Sequence, residues 1–195
     1  RERRWQALLG LEDALAVPAE AAPLKAVIND IMELAHTLND DNALAEAYLR
    51  QAQFGTRTGD ITISQAACQA GLEAARRCGN EQLEAKLLSH AANVELTTGD
   101  KTACLRDIKE ALRRARSLGN EAILAYVLYR AAVCYSEMGD VVVADSLQLE
   151  QIELDHRLGN RIMELFGLGN MASGYLGLGL YKQARAALKQ AIQIA

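Results

Sequence analysis

The sequence is poor in the residues that build β-sheet proteins. Aromatic residues make up only 5% of the 195 residues, and there are only 2 prolines, whereas β-sandwiches and barrels depend on aromatic and β-branched strands. No run of about 18 or more apolar residues is present, and the chain does not open with a secretory signal. We therefore expect a helical protein without a membrane span, located in the cytoplasm. Its first residue, Arg1, is not Met, which suggests a fragment of a longer protein.

Cysteine and histidine are also scarce, and neither follows the spacing of a metal or redox site. We interpret the four cysteines as small, reduced core residues: Cys68, Cys78, Cys104 and Cys134. The three histidines lie far apart and are expected to be solvated or partly packed: His36, His90 and His156. No convergent nucleophile and base accompany them. The sequence thus predicts neither a cofactor nor an enzyme.

What the chain does contain is a folded-protein composition and a repeat. Half of the residues are hydrophobic, 24% are charged and the net charge is −4, a balance typical of a folded domain. Two kinds of turn alternate with a period of about forty residues: Gly-Asp pairs at 59–60, 99–100 and 139–140, and Gly-Asn pairs at 79–80, 119–120 and 159–160. Glycine ends a helix and the following Asp or Asn caps the next one. The segments between the turns are therefore predicted to be helices.

The apolar residues between these turns follow a helical period. Cys104, Ile108 and Ala111 recur at steps of four and three, which places them on one helix face. A helical hairpin of this size cannot bury its apolar face alone, so we predict one continuous array of stacked hairpins. Its repeats are 1–38, 41–78, 81–118, 121–158 and 161–195. The first repeat is divergent, because Pro18 and Pro23 predict a longer loop between helices at 1–16 and 24–38.

A glycine-rich segment near the end of the chain superficially resembles a phosphate-binding loop. Gly167, Gly169, Gly174 and Gly177 lie inside a predicted helix, with no strand before them, so the nucleotide-binding context is missing. We attribute most of these glycines to close helix packing. The same lack of side chains can also let the backbone of a ligand come near.

When the predicted hairpins are aligned on the forty-residue period, one alanine recurs on the first helix of four of them: Ala52, Ala92, Ala132 and Ala172. In this alignment the hairpins resemble the tetratricopeptide repeat. The match covers about residues 40–195. It departs from the common form in its forty-residue period, in lacking the repeat tryptophan and closing proline, and in Gln148 and Gln151, which stand at apolar positions. The long period is more similar to arrays in maltose-regulator-type transcription activators, signalling ATPases and polarity adaptors.

The resemblance implies an all-α fold, a right-handed α-solenoid of about five stacked antiparallel helical hairpins, whose first helices line a concave groove. It also implies a non-catalytic module that binds a protein or peptide segment in that groove. We expect Tyr126, Tyr129 and Phe166 to be the anchors, because large aromatic side chains gain most when a partner buries them. The implied groove residues are Gln53, Lys86, Ser89, Asn93, Leu96, Tyr126, Tyr129, Val133, Phe166 and Ser173.

Other interpretations of the same surfaces stay open. The array is alternatively the effector-sensing regulatory domain of a larger signalling protein or transcription activator, or a further repeat covers the aromatic patch. The apolar last helix, 181–195, lacks a polar capping helix, which predicts self-association or further repeats. A basic stripe is interpreted as a solvated helix face, since the pI near 5.5 argues against nucleic acid as a partner; its members are Arg106, Lys109, Arg113 and Arg116.

Overall fold

The computed structural model describes residues 2–16 and 21–194, and these residues form ten α-helices and no strand. The all-α prediction is therefore confirmed. In chain order the helices are α1 (Glu2–Ala16), α2 (Ala21–Leu38), α3 (Asp41–Thr58), α4 (Ile61–Cys78), α5 (Glu81–Thr98), α6 (Lys101–Ser117), α7 (Glu121–Glu137), α8 (Val141–Leu158), α9 (Arg161–Gly177) and α10 (Tyr181–Ile194).

The turns between the helices work as the sequence predicts. Gly59 and Gly79 end α3 and α4 with φ of 77° and 68°, a left-handed conformation that glycine adopts without a steric penalty. The carboxylates of Asp60 and Asp100 then accept the backbone N–H groups of the next helix, Asp60 from Ile63 at 3.0 Å. Such pairs satisfy one helix end and one helix start, as the sequence predicts. The exception is Asn160, whose side chain does not cap α9 and instead donates to Asp155 at 3.0 Å.

The beginning of α2 differs from the sequence prediction. The helix starts at Ala21 rather than at residue 24, and Pro23 lies in its first turn, where a residue without an N–H breaks no helical hydrogen bond. The predicted start of this helix, residue 24, is therefore wrong by three residues, and the loop before it ends earlier than expected. Pro18, on the other side, lies outside the described residues.

The chain divides into two compact units, which we call unit 1 (up to Val94) and unit 2 (from Glu95 onward). The boundary falls inside α5. In unit 1 the core is formed by small and branched side chains of α3, α4 and α5, including Ala45, Leu49 and Leu87. A Cβ atom on Gly55 would lie 2.8 Å from the backbone nitrogen of Ser64, so only glycine permits this approach of α3 to α4.

Polar side chains also lie inside unit 1. Glu12 of α1 is buried and pairs with Arg50 of α3, which also contacts Glu46 at 3.1 Å. His90 is completely buried and its Nε2 lies 3.0 Å from the hydroxyl of Thr56. The expectation of a solvated or partly packed histidine is therefore wrong for His90, whose ring is held in the interior by a hydroxyl partner.

Unit 2 has its core between α6, α7, α8 and α9. Cys104, Ile108 and Leu128 are fully buried. The Cys104 and Cys134 thiols contact each other, and burial raises the pKa of both, so both stay protonated near neutral pH. Both fit the interpretation as core residues. Cys78 in unit 1 does not, because it lies exposed in the last turn of α4.

The register of the four recurring alanines holds in both units. Ala52, Ala92, Ala132 and Ala172 are each at most 2% exposed. Small side chains at such positions let neighbouring helices approach closely. The column therefore faces helix contacts, as expected from the repeat register.

A buried polar ladder runs along α8 where the sequence pattern expects apolar side chains. Gln148 donates to Gln151, and Gln151 donates to Asp155 and to the carbonyl oxygen of Met163. All three ladder side chains are buried. Their hydrogen bonds compensate the loss of water, which is the condition for polar groups in a core.

The ladder also determines which residue can stand opposite it on α9. A Cβ atom on Gly167 would lie 2.9 Å from Nε2 of Gln148 and 2.7 Å from Cγ1 of Ile152. Glycine at 167 is thus a consequence of the two glutamines, a coupling between helices that the sequence pattern does not reveal.

Candidate functional site

The residues implied for the groove fall into both units, and we describe each in its own unit. In unit 1, Gln53, Lys86 and Asn93 are half-buried. Ser89 is completely buried, and its hydroxyl donates to the carbonyl oxygen of Lys86 at 2.7 Å. Since that hydroxyl is already used inside the helix, we leave Ser89 out of the candidate surface.

In unit 2 the implied residues lie on α5, α7 and α9. Leu96, Tyr126, Tyr129 and Val133 are half-buried, whereas Ser173 and Phe166 are exposed, Phe166 by 55%. The run of large apolar side chains is thus less exposed than expected. Tyr126 is further covered by the guanidinium of Arg130, 5.6 Å from the ring centre, a cation–π arrangement.

A cavity of about 380 Å³ lies between α7, α8 and α9, entirely within unit 2. Two of the implied residues, Val133 and Ser173, line it. Cavities of about 300–1,000 Å³ are typical of ligand sites. The other lining residues are Ala132, Ser136, Glu137, Gly139, Val141, Ala144, Asp145, Gln148, Asn170, Met171, Gly174, Gly177 and Leu178.

The glycines of α9 explain why this space is open. A Cβ atom on Gly177 would meet no atom within 4 Å, and one on Gly174 would only approach Ser136 Oγ at 3.9 Å. Gly169 is equally unobstructed. The expectation that close packing accounts for most of these glycines is therefore wrong. Of the four, only Gly167 is close-packed, and Gly174 and Gly177 instead leave the cavity free of side chains.

Polar groups at the cavity are only partly satisfied. The side-chain nitrogen of Asn170 is buried and has no hydrogen-bond acceptor in the described part of the chain. Asp145 accepts a hydrogen bond from Tyr175, and burial first, with that bond second, raises the pKa of the Tyr175 hydroxyl. A buried amide without a partner costs free energy, and a ligand acceptor would recover that cost only if the Asn170 side chain turned its nitrogen toward the cavity.

Helix faces extend the cavity lining toward the aromatic residues. On α9, Phe166, Asn170 and Ser173 follow one another at steps of four and three residues. On α7, Tyr129 and Val133 are four residues apart. Residues at such steps share a helix face. Tyr129 and Phe166 therefore lie on the stripes that line the cavity, one turn before it in each helix.

A second group that the groove prediction misses is Glu95, at the start of unit 2. Burial, with the neighbouring Asp107 carboxylate second, raises the pKa of Glu95 to about 7, although the guanidinium of Arg106 lies 3.6 Å away. A signal for it exists in the sequence: Glu95 stands in the repeat position where later hairpins have Tyr135 and Tyr175. A carboxylate in an aromatic column is a candidate for unusual titration.

The basic stripe that the sequence predicts on α6 is an exposed, ion-paired helix face. Three of its members, Arg106, Arg113 and Arg116, are exposed and pair with nearby carboxylates at 2.6–2.8 Å.

Within residues 2–16 and 21–194, no group of His, Cys, Asp and Glu could hold a metal ion. None of the helices described there combines the length and apolarity needed to cross a membrane.

Comparisons with known proteins bear on the fold. No family model and no curated protein matches the chain. Solved structures do: BtubC of P. vanneervenii is 18% identical, with a TM-score of 0.71 over 97% of this chain and 78% of that one. A signal transduction ATPase with numerous domains and a tetratricopeptide repeat sensor, from Pyrococcus horikoshii, is 17% identical, with a TM-score of 0.68 over 98% of this chain and 30% of that one.

A third solved structure, the tetratricopeptide-like repeats of a putative kinesin light chain from Podosopora anserina, is 12% identical, with a TM-score of 0.64. That match covers 98% of this chain and 94% of the other. Identities this low leave the likeness as one of fold. The described helices, joined by Gly-Asp and Gly-Asn turns, give the chain a tetratricopeptide-type fold.

Proposed function

We propose that this chain is a non-catalytic interaction module that binds an extended polypeptide segment on unit 2. The observation that carries the proposal is the cavity between α7, α8 and α9, with Asn170 in its lining. The stripes that line it continue to Tyr129 and Phe166. A partner segment would place an apolar side chain against the aromatic residues and its backbone near Asn170.

The chemistry of the lining supports binding rather than catalysis. Ser136 and Ser173 carry hydroxyls, but none of the described residues lining the cavity is His, Lys or Cys. A serine hydroxyl is a poor nucleophile unless a base accepts its proton, and neither Ser136 nor Ser173 is hydrogen-bonded to Glu137 or Asp145, the two carboxylates of the lining. Binding of the partner by Gln53, Lys86 and Asn93 of unit 1 stays a prediction from the sequence. The cytoplasmic location also stays a prediction.

The test is a selection of peptides from a displayed random library against the whole chain, followed by affinity measurements on blocked variants. Gly174→Leu would fill the cavity, and we expect it to lower the affinity at least about tenfold, which corresponds to about 1.4 kcal/mol. Gly10→Leu, at an exposed glycine of α1 in unit 1 where an added Cβ atom would meet nothing within 4 Å, is the matched control. Phe166→Ala tests the aromatic stripe.

Equal affinity of the Gly174→Leu and Gly10→Leu variants would place the peptide site elsewhere. An anchor typically contributes about 2 kcal/mol or more. Retention of affinity within a factor of about two in Phe166→Ala would therefore remove that residue from the site. Thermal unfolding of each variant establishes that the fold is intact.

A second candidate function is the effector-sensing part of a larger regulatory protein. It is favoured by the match to a signal transduction ATPase whose tetratricopeptide repeats are described as a sensor, where the chain covers 30% of the other protein. Such a role would use the same cavity for an effector peptide. Sequencing the rest of the gene distinguishes the two candidates, because a sensor must be joined to an output domain.

The last helix offers a surface for self-association. On α10, Ile192 is 76% exposed and Leu188 45% exposed, and only Ala184 and Ala187 are buried. We propose that this apolar face contacts a second copy of the chain. Sedimentation over a concentration series should detect a dimer that Ile192→Lys weakens; a strict monomer at every concentration would contradict this part of the proposal.

A further inference from the structure

The charges that line the unit 2 cavity have one sign. Its ionisable lining residues are Glu137, the last residue of α7, and Asp145 of α8; no Lys, Arg or His is among the described lining residues. The cavity also lies at the C-terminal ends of α7 and α9, which carry the partial negative charge of the helix dipole. The N-terminus of α8 is there too, but the Asp140 carboxylate caps it, accepting from Val143 at 3.4 Å.

The two carboxylates retain capacity for further hydrogen bonds. Asp145 is half-buried and accepts one bond, from the Tyr175 hydroxyl, which also holds its position. An ionised carboxylate has about four acceptor sites, so most remain available. Glu137 is exposed at the rim. Both groups can therefore accept from a cationic donor that enters the cavity.

We propose that the cavity receives a positively charged side chain, arginine or lysine, of the bound polypeptide segment. This inference rests on the proposed function and adds the chemistry of the partner. A volume of about 380 Å³ is near the lower end for ligand sites, which suits one side chain rather than a cofactor. Arginine fits best, because its planar fork of N–H donors can bond a carboxylate through two hydrogen bonds at once.

The same charges oppose other partners. A C-terminal carboxylate or a phosphorylated residue would meet Glu137 and Asp145 without a compensating cation, and like charges in a partly desolvated site repel. The segment is thus expected to bind through an internal basic residue.

The experiment begins with the peptides selected on the whole chain. We expect arginine or lysine to recur at one position. For the best peptide, fluorescence anisotropy then compares the arginine form with the citrulline form, which has a similar shape but no charge. The arginine form should bind about tenfold or more tightly, the size expected for a charge-assisted hydrogen bond.

Two double variants locate this preference. Glu137→Gln with Asp145→Asn removes both cavity carboxylates, and the arginine-to-citrulline ratio should fall to within a factor of about two of unity. Asp30→Asn with Glu33→Gln is the matched control, since both residues are exposed on α2 in unit 1 and the net charge changes equally. The control should keep the full ratio. If the cavity variant melts early, Glu137→Gln alone carries the test, because that residue is exposed.

Failure of this inference differs from failure of the proposed function. Selected peptides without a basic position, or an unchanged ratio in the cavity variant, would overturn the inference and leave peptide binding intact. Selection of no peptide at all would remove both. Binding of N-acetylarginine amide as tightly as of the peptide would overturn the assignment of a polypeptide partner in favour of a small cationic ligand.

Discussion

Two glycines of α9, Gly167 and Gly169, allow a direct test of the packing around the buried ladder. Both lie inside the same helix, so replacing either by alanine gains the same helix propensity, about 1 kcal/mol. Their surroundings differ. A Cβ atom at 167 would lie 2.7 Å from Cγ1 of Ile152 and 2.9 Å from Nε2 of Gln148, whereas one at 169 would meet nothing within 4 Å.

The expected difference follows from these distances. In Gly167→Ala, overpacking typically costs about 1–3 kcal/mol, and a buried amide displaced from its hydrogen bond costs a further 1–3 kcal/mol or so. After subtraction of the propensity gain, Gly167→Ala should be less stable than wild type by about 1–5 kcal/mol, or about 3 kcal/mol at the middle of that range. Gly169→Ala should be more stable by about 1 kcal/mol, because only the propensity term acts.

The assay is thermal unfolding of both variants by calorimetry and far-UV circular dichroism. For a chain of this size, 1 kcal/mol shifts Tm by about 2–4 °C. The two variants differ by about 4 kcal/mol and should therefore melt about 8–16 °C apart, with Gly167→Ala lower. Melting temperatures within about 2 °C of each other would refute the reasoning, because the ladder would then yield to a methyl group at no cost.

Three further outcomes are expected. Ala52→Leu should destabilise unit 1 by about 1–3 kcal/mol, because Ala52 is completely buried, while Ala66→Leu at an exposed position of α4 should leave the urea midpoint nearly unchanged. Glu95→Gln should flatten the pH dependence of Tm between pH values of about 5 and 8. The pKa of Glu95 in the folded state, about 7, lies above its value in the unfolded chain. The wild type therefore loses stability as the pH rises through this range, and the variant should not. Asp60→Ala should cost about 1 kcal/mol in urea unfolding, since its carboxylate caps α4 through Ile63; an unchanged midpoint would contradict the capping role.

Only part of the candidate site could be predicted from the sequence. Some of its features follow from the spacing of residues on one helix, whereas others depend on the atoms that neighbouring helices bring close. Val133 and Ser173 could be placed by repeat register, because a helix face follows from spacing alone. Ser89 stands in the repeat position of Tyr129 but is buried, and its hydroxyl donates to the carbonyl oxygen of Lys86. Asn170 was not predicted, because its amide stands out only through the absence of an acceptor among the atoms around it.

The sequence by itself determined the helices and their turns. Helix periodicity and the Gly-Asp and Gly-Asn signals act between residues close in the chain, so the bounds of α3 to α10 can be read locally. Only the tertiary structure decided which glycine is packed and which opens a cavity. Gly167 and Gly174 look alike in the sequence, but one faces the glutamines of α8 and the other faces open space beside Ser136. Burial of Glu95 depends in the same way on side chains from other helices, because desolvation is set by every atom that surrounds a group and not by its neighbours in the chain.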